Sequence, residues 1–170
     1  MRAFKIFLTG LTAILLAGCA SYHLGPVDHS VAGERSIEVA PFNNQTLQPR
    51  LGDALTQALR ERLQTDATFH LATRDPGDIV VTGVIRSYQR EGLSYLSTDV
   101  ATPENYRVSV VAHVTARERA SGKLLLDKDV KGHTLVHIGL DLASAERQAL
   151  PLLAEDLAQN ITELLTEGAW

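Results

Sequence analysis

Two hydrophobic periods alternate along this chain of 170 residues. Ser36-Ile37-Glu38-Val39-Ala40-Pro41-Phe42 sets Ile37 and Val39 against Glu38 and Ala40, the period of two of a half-buried strand. Pro41 has no N–H for a sheet ladder, so this strand ends there or lies at an edge. Asn43 to Thr46 reads as a polar turn, with Thr46 or Gln48 as helix starter and Pro49 tolerated in the first turn. Leu51, Leu55, Leu59 and Leu63 then recur at steps of four beside Ala54 and Ala58, opposite Arg50, Asp53, Gln57, Arg60, Glu61 and Gln64. That is a one-faced helix ending at Asp66 to Thr68. Gly52 weakens it by about 1 kcal/mol relative to Ala, or lets a neighbour come close.

Phe69 to Ala72 predicts a short strand and Arg74 to Asp78 a turn. Ile79 to Tyr88 is β-branched on both faces at its start, which fits a central strand. Gln89 to Asn105 mixes Gly, Ser, Thr, Asp and Pro with Leu93, Tyr95 and Leu96, and is expected to be a long excursion or frayed hairpin. Tyr106 to Arg119 alternates Tyr106, Val108, Val110, Ala112, Val114 and Ala116 with Arg107, Ser109, His113, Thr115 and Arg117, so one face is dry and one wet. A turn at Ala120 to Lys123 leads to a return strand, Leu124 to about Val136. Leu124, Leu126 and Val130 are expected inward, Asp127, Asp129 and Lys131 outward, and Gly132 at a bend or bulge. The last helix runs from near Ser144 towards Leu165 with Leu150, Leu153, Leu157, Ile161, Leu164 and Leu165 as its stripe. Pro151 kinks it or marks where its regular part begins. Trp170 lies past its end.

Strand, helix, strand meander and closing helix give an α+β two-layer sandwich. Two helices pack on one face of a mostly antiparallel sheet of four to five strands, and the other face is polar.

Composition narrows the function classes. The net charge is −4, with 16 Lys and Arg against 20 Asp and Glu and no run of five like charges, so the broad basic footprint of a nucleic-acid binder is absent. A local basic patch can still meet an anionic head group. The lone Cys leaves no second thiol for an internal disulfide.

That cysteine follows a telling stretch. Arg2 and Lys5 precede an uncharged run, Ile6 to Ala17, which is too short to span a bilayer and reads as a signal peptide. Leu16-Ala17-Gly18-Cys19 resembles the bacterial lipobox, in which the Cys is lipidated and the signal cut before it. The plainer reading is an ordinary small-residue cleavage site. Removing residues 1–18 leaves 152, the size of one domain. The organisation is therefore a signal at 1–18, a lipidated N-terminus and tether at 19–35, and a sandwich domain at 36–170. Several acyl chains, at about 0.8 kcal/mol per buried methylene, make a stable anchor. Ala20 and Ser21 follow the Cys with no Asp, which by resemblance to known sorting favours the outer membrane, with the domain on its periplasmic side or within a barrel lumen.

The segment Tyr22-His23-Leu24-Gly25, the strand Ile37 to Asn44, the helix with Leu55 and Leu59, the Gly83 strand, the Tyr106 to Arg119 strand and the terminal helix together resemble the lipopolysaccharide-assembly lipoproteins of the LptE type. The resemblance implies a plug and assembly partner of the outer-membrane β-barrel that inserts lipopolysaccharide. It also implies contact with the glycolipid through basic residues in loops at one end of the sheet. Residues Gly92 to Asn105 hold no Lys or Arg, so Arg86, Arg90 and Arg107 at the roots of that excursion are the candidate ligand contacts.

A lipoprotein activator of a peptidoglycan synthase is the rival resemblance, through Val39 to Thr46 and the helix after it. Such proteins need a long tether, and Ala20 to Arg35 reaches only about 50–60 Å fully extended. No convergent acid, base and nucleophile set points to an enzyme, and no cofactor is expected. His133 and His137 are spaced for one metal on a helix, but on a strand they lie about 13 Å apart. His23, His29, His70 and His113 are single, and Asp127 and Asp129 read as a wet strand face.

Overall fold

The computed structural model describes residues 35–96, 99–137 and 141–167. The signal peptide, Cys19, the tether segment Tyr22 to Gly25, His23, His29 and Trp170 lie outside the described residues. The strands are β1 (Ser36–Val39), β2 (Asn43–Asn44), β3 (His70–Leu71), β4 (Ile79–Leu96), β5 (Asp99–Glu118) and β6 (Leu124–His137), and the helices are α1 (Leu51–Asp66) and α2 (Leu142–Glu167). No helix among the described residues is long and apolar enough to cross a membrane.

The two-layer α+β sandwich is present, with both helices on one face of a sheet ordered β3-β1-β4-β5-β6 and β2 pairing with β4. Six strands replace the expected four to five, and the sheet is mixed. β4, β5 and β6 are antiparallel, as a meander with short turns must be, whereas β1 pairs in parallel with β3 and β4, and β2 with β4. The cause is α1, a crossover that returns the chain in the direction it left.

The leucine ladder behaves as its spacing requires: Leu51, Leu55, Leu59 and Leu63 are all fully buried, as are Leu153, Leu157, Ile161 and Leu165 of α2. Leu150 and Leu164 are partly buried against the same core. The sheet supplies Ile37, Val39, Ile79, Val81 and Ile85, and the dry face of β5 supplies Val108, Val110, Ala112, Val114 and Ala116.

Three local expectations are corrected, and a fourth is resolved to one of its two readings. α1 begins at Leu51, not near Thr46 or Gln48, and Pro49 lies before it. The Asn44 side chain accepts from the Thr46 N–H (3.0 Å) and hydroxyl (2.7 Å) and donates to the Gln48 carbonyl (2.7 Å). This turn occupies the groups a cap would use, and Arg50 enters the helix at φ 61° without a side-chain cap. Of the two readings of Gln89 to Asn105, the hairpin is the one found: it is the upper part of one β4–β5 hairpin, with register shifts near Gly92 to Leu96. Leu124 is exposed, because a register shift at Ala116/Arg117 turns it out while Leu126 stays in. Gly132 marks no bulge but a close approach: a Cβ there would lie 2.7 Å from the Leu157 Cβ.

Candidate functional site

Arg107, His113, Arg117, Asp127 and Asp129 lie on the face of the sheet that the helices leave open. Odd positions of β5 point there because even positions carry the apolar core. Register sets His113 opposite Asp129 and Thr115 opposite Asp127. The His113 ring lies between the two carboxylates, with Nδ1 2.8 Å from Asp129 Oδ1 and Nε2 2.9 Å from Asp127 Oδ1. A doubly protonated ring would donate to both. Arg86 Nη1 donates to the same Asp129 oxygen at 3.1 Å. His113, read from the sequence as single, and Asp127 and Asp129, read as a wet strand face, thus form one network with Arg86. Higher on this face Arg107 is 3.8 Å from Glu91.

Arg90 is elsewhere. Arg86 and Arg90 are four residues apart and would share a face on a regular strand, but the register shift between Ile85 and Ser87 reverses the phase. Arg90 therefore turns under the sheet, where its Nη2 donates to Glu146 Oε2 at 3.0 Å and its Nε to Oε1 of the same carboxylate. Its guanidinium also lies 5.5 Å from the centroid of the Tyr88 ring. The hydrogen bond that Arg90 donates to Glu146 raises the Arg90 pKa, and burial followed by the Glu146 charge raises that of the Tyr88 phenol. The three candidate arginines do not form one site: Arg86 and Arg107 are on the open face, and Arg90 braces α2.

Glu146 was not singled out by sequence reasoning. Its signal was available, since it lies four and seven residues before Leu150 and Leu153 and so on the apolar stripe of α2. A further basic cluster, also missed, lines a cleft of about 520 Å³ with Arg60, Arg74 and Arg119. Two of these act as braces: Arg60 donates to the Val39 carbonyl (2.7 Å), and Arg119 to the Gly77 carbonyl (2.8 Å) and to Glu38.

His133 and His137 stay on one strand with separate partners. The His133 N–H donates to Asp156 (2.8 Å), and His137 Nδ1 is 2.8 Å from the Asn105 side-chain oxygen. Among the described residues no three His, Cys, Asp or Glu side chains are placed to hold a metal ion.

The LptE family model, described as lipopolysaccharide-assembly, matches residues 34–165, which takes in all six strands, α1 and nearly all of α2. The chain belongs to the LptE family. No curated protein matches it. Among solved structures, this LptE-family chain is similar to the hypothetical protein CT253 from Chlamydia trachomatis, at 10% identity and TM-score 0.57, over 81% of this chain and 98% of that one. It is similar also to protein XCC0632 from Xanthomonas campestris, at 11% identity and TM-score 0.56, over 86% and 94%. Rare lipoprotein B from Shewanella oneidensis matches at 16% identity and TM-score 0.47, over 76% and 92%. For CT253 and XCC0632 the likeness, at such identities, is one of fold.

Proposed function

We propose that this chain is an outer-membrane lipoprotein, acylated at Cys19, that serves as plug and assembly partner of the β-barrel inserting lipopolysaccharide. The observation that supports this most is the LptE-family match over residues 34–165, which covers the whole sheet, α1 and nearly all of α2. The geometry agrees with it. A sheet armoured by helices on one face and polar on the other suits contact with the polar interior of a large barrel. Assembly of this kind asks for shape and charge, with no bond made or broken by the chain itself.

Within that role, Arg86 and Arg107 are the better candidates to touch an anionic lipopolysaccharide group, since both stand on the open face. Arg90 is the weaker one, because its charge is already held by Glu146.

Affinity capture of the tagged chain from detergent-solubilised membranes tests the reading. Recovery of the lipopolysaccharide-inserting barrel is the expected result, and recovery of a peptidoglycan synthase in its place would overturn it. Labelled palmitate should enter the wild-type chain and fail to enter Cys19→Ser; equal labelling of both would remove the anchor.

A further inference from the structure

A sheet that is not closed has edges, and their unpaired N–H and C=O groups are templates for another strand unless blocked. This sheet treats its edges unequally. β3 is only two residues long. β6 is long but guarded: Asn160 Nδ2 donates to the Lys131 carbonyl (2.9 Å), and Asp156 accepts from the His133 N–H (2.8 Å). Those two side chains stand where a neighbouring strand would, and Asp127, Lys128, Asp129 and Lys131 line the rest.

β4 has a third edge. Its partners β1 and β2 reach only as far as Ile85, where the last bond on that side is Gln45 N–H to the Ile85 carbonyl at 3.0 Å. From Arg86 to Leu96 no strand among the described residues pairs with that side. At about 3.3 Å per residue this edge is roughly 35 Å long. It is flanked by apolar side chains: Leu93 and Tyr95 are exposed, and Leu47, at the foot of the edge, is fully so. Leu47 is held out on the turn fixed by Asn44, and Arg50 beside it makes no ion pair among the described residues.

We propose that the open edge of β4 receives an extended segment of the partner barrel's own polypeptide as an added strand. The row of backbone groups selects an extended chain. Leu47, Leu93 and Tyr95, all exposed, favour apolar residues in that segment, and Arg50 an acidic residue at the foot. This rests on the barrel partnership proposed above and adds which surface is used and how.

Amide hydrogen exchange decides it, measured on the full chain alone and in complex with the lipopolysaccharide-inserting barrel of the same organism. The amides of residues 86–92 that face away from β5 should exchange at least tenfold more slowly in the complex. Leu47→Lys combined with Leu93→Lys, and separately Arg50→Glu, should cut recovery of the barrel at least fivefold while the melting temperature of the free chain is unchanged. If the complex forms and these amides exchange as in the free chain, the edge proposal falls and the partnership stands. If they are already protected in the free chain, the occupant is a second copy where the protection depends on concentration and another segment of this chain where it does not, and the proposal falls either way. If no complex forms, the partnership fails and takes the edge proposal with it.

Discussion

Arg90 and Glu146 meet across the interface between β4 and α2, with two guanidinium nitrogens directed at the two oxygens of one carboxylate. Glu146 is only 9% exposed, while the Arg90 side chain is about half exposed at 47%. The carboxylate is therefore the partner that suffers when the pair is broken. Arg90→Met should destabilise the fold by about 2 kcal/mol, below the roughly 3–5 of a fully buried pair because water still reaches the arginine. Glu146→Leu in the same chain should restore most of the loss. Urea unfolding of both single variants and the double variant measures this, and simple additivity would show that the two side chains are not coupled.

Phe42 and Gly83 make a second, purely steric pair. A Cβ on Gly83 would lie 2.1 Å from Cε1 of the buried Phe42 ring. Gly83→Ala should therefore cost about 1–3 kcal/mol through overpacking. Phe42→Leu in the same chain should make the alanine less costly. Thermal melts of the four variants check it; an equal cost with and without the ring would mean the sheet yields in some other way.

These pairs show where the sequence was readable. The leucine ladder of α1 and the alternation of β5 were legible because each repeats one period over several turns or residues with no interruption. The bulge after Ile85 was not, because a one-residue phase shift leaves no mark in the composition of the strand. It is also what separates Arg86 from Arg90, so the candidate site came apart where the register did. The parallel placement of β1, β2 and β3 was hidden for another reason: two-residue strands such as Asn43–Asn44 carry no period. The network of His113 with Asp127 and Asp129 depends on cross-strand register, which no reading of single strands supplies.

Ser36 and Asp78 tie the start of β1 to the turn before β4. Asp78 Oδ2 accepts from the Ser36 hydroxyl (2.7 Å) and N–H (2.9 Å), and these bonds hold its pKa below the ordinary 3.8. A depressed folded-state pKa contributes stability that is present above the unfolded value and lost as pH falls through the folded one. Ser36→Ala should thus lower the urea midpoint at pH 6, and the gap to wild type should narrow on acidification below about pH 4. A gap that stays constant down to pH 2 would detach the effect from the Asp78 charge.

Arg86 is shared between a carboxylate it already has and an anion it is proposed to meet. Its Nη1 lies 3.1 Å from Asp129 Oδ1, with both side chains about half exposed. A pair so exposed is weak, about 0–1 kcal/mol, and can open when a phosphate competes for the guanidinium. Asp129→Asn removes the internal competitor and should tighten lipopolysaccharide binding, while Arg86→Ala and Arg107→Ala should each weaken it. A change of about 1 kcal/mol corresponds to roughly fivefold in affinity. The Arg90→Met, Glu146→Leu double variant should bind as wild type does, since that arginine faces the helix layer. Titration of the full-length chain with fluorescent lipopolysaccharide measures all four, and the differences should shrink in high salt, where exposed charges are screened. Equal affinity of Asp129→Asn, Arg86→Ala and wild type would remove the open face as the lipid contact; a loss confined to the Arg90 double variant would move that contact to the end of the sheet beneath α2.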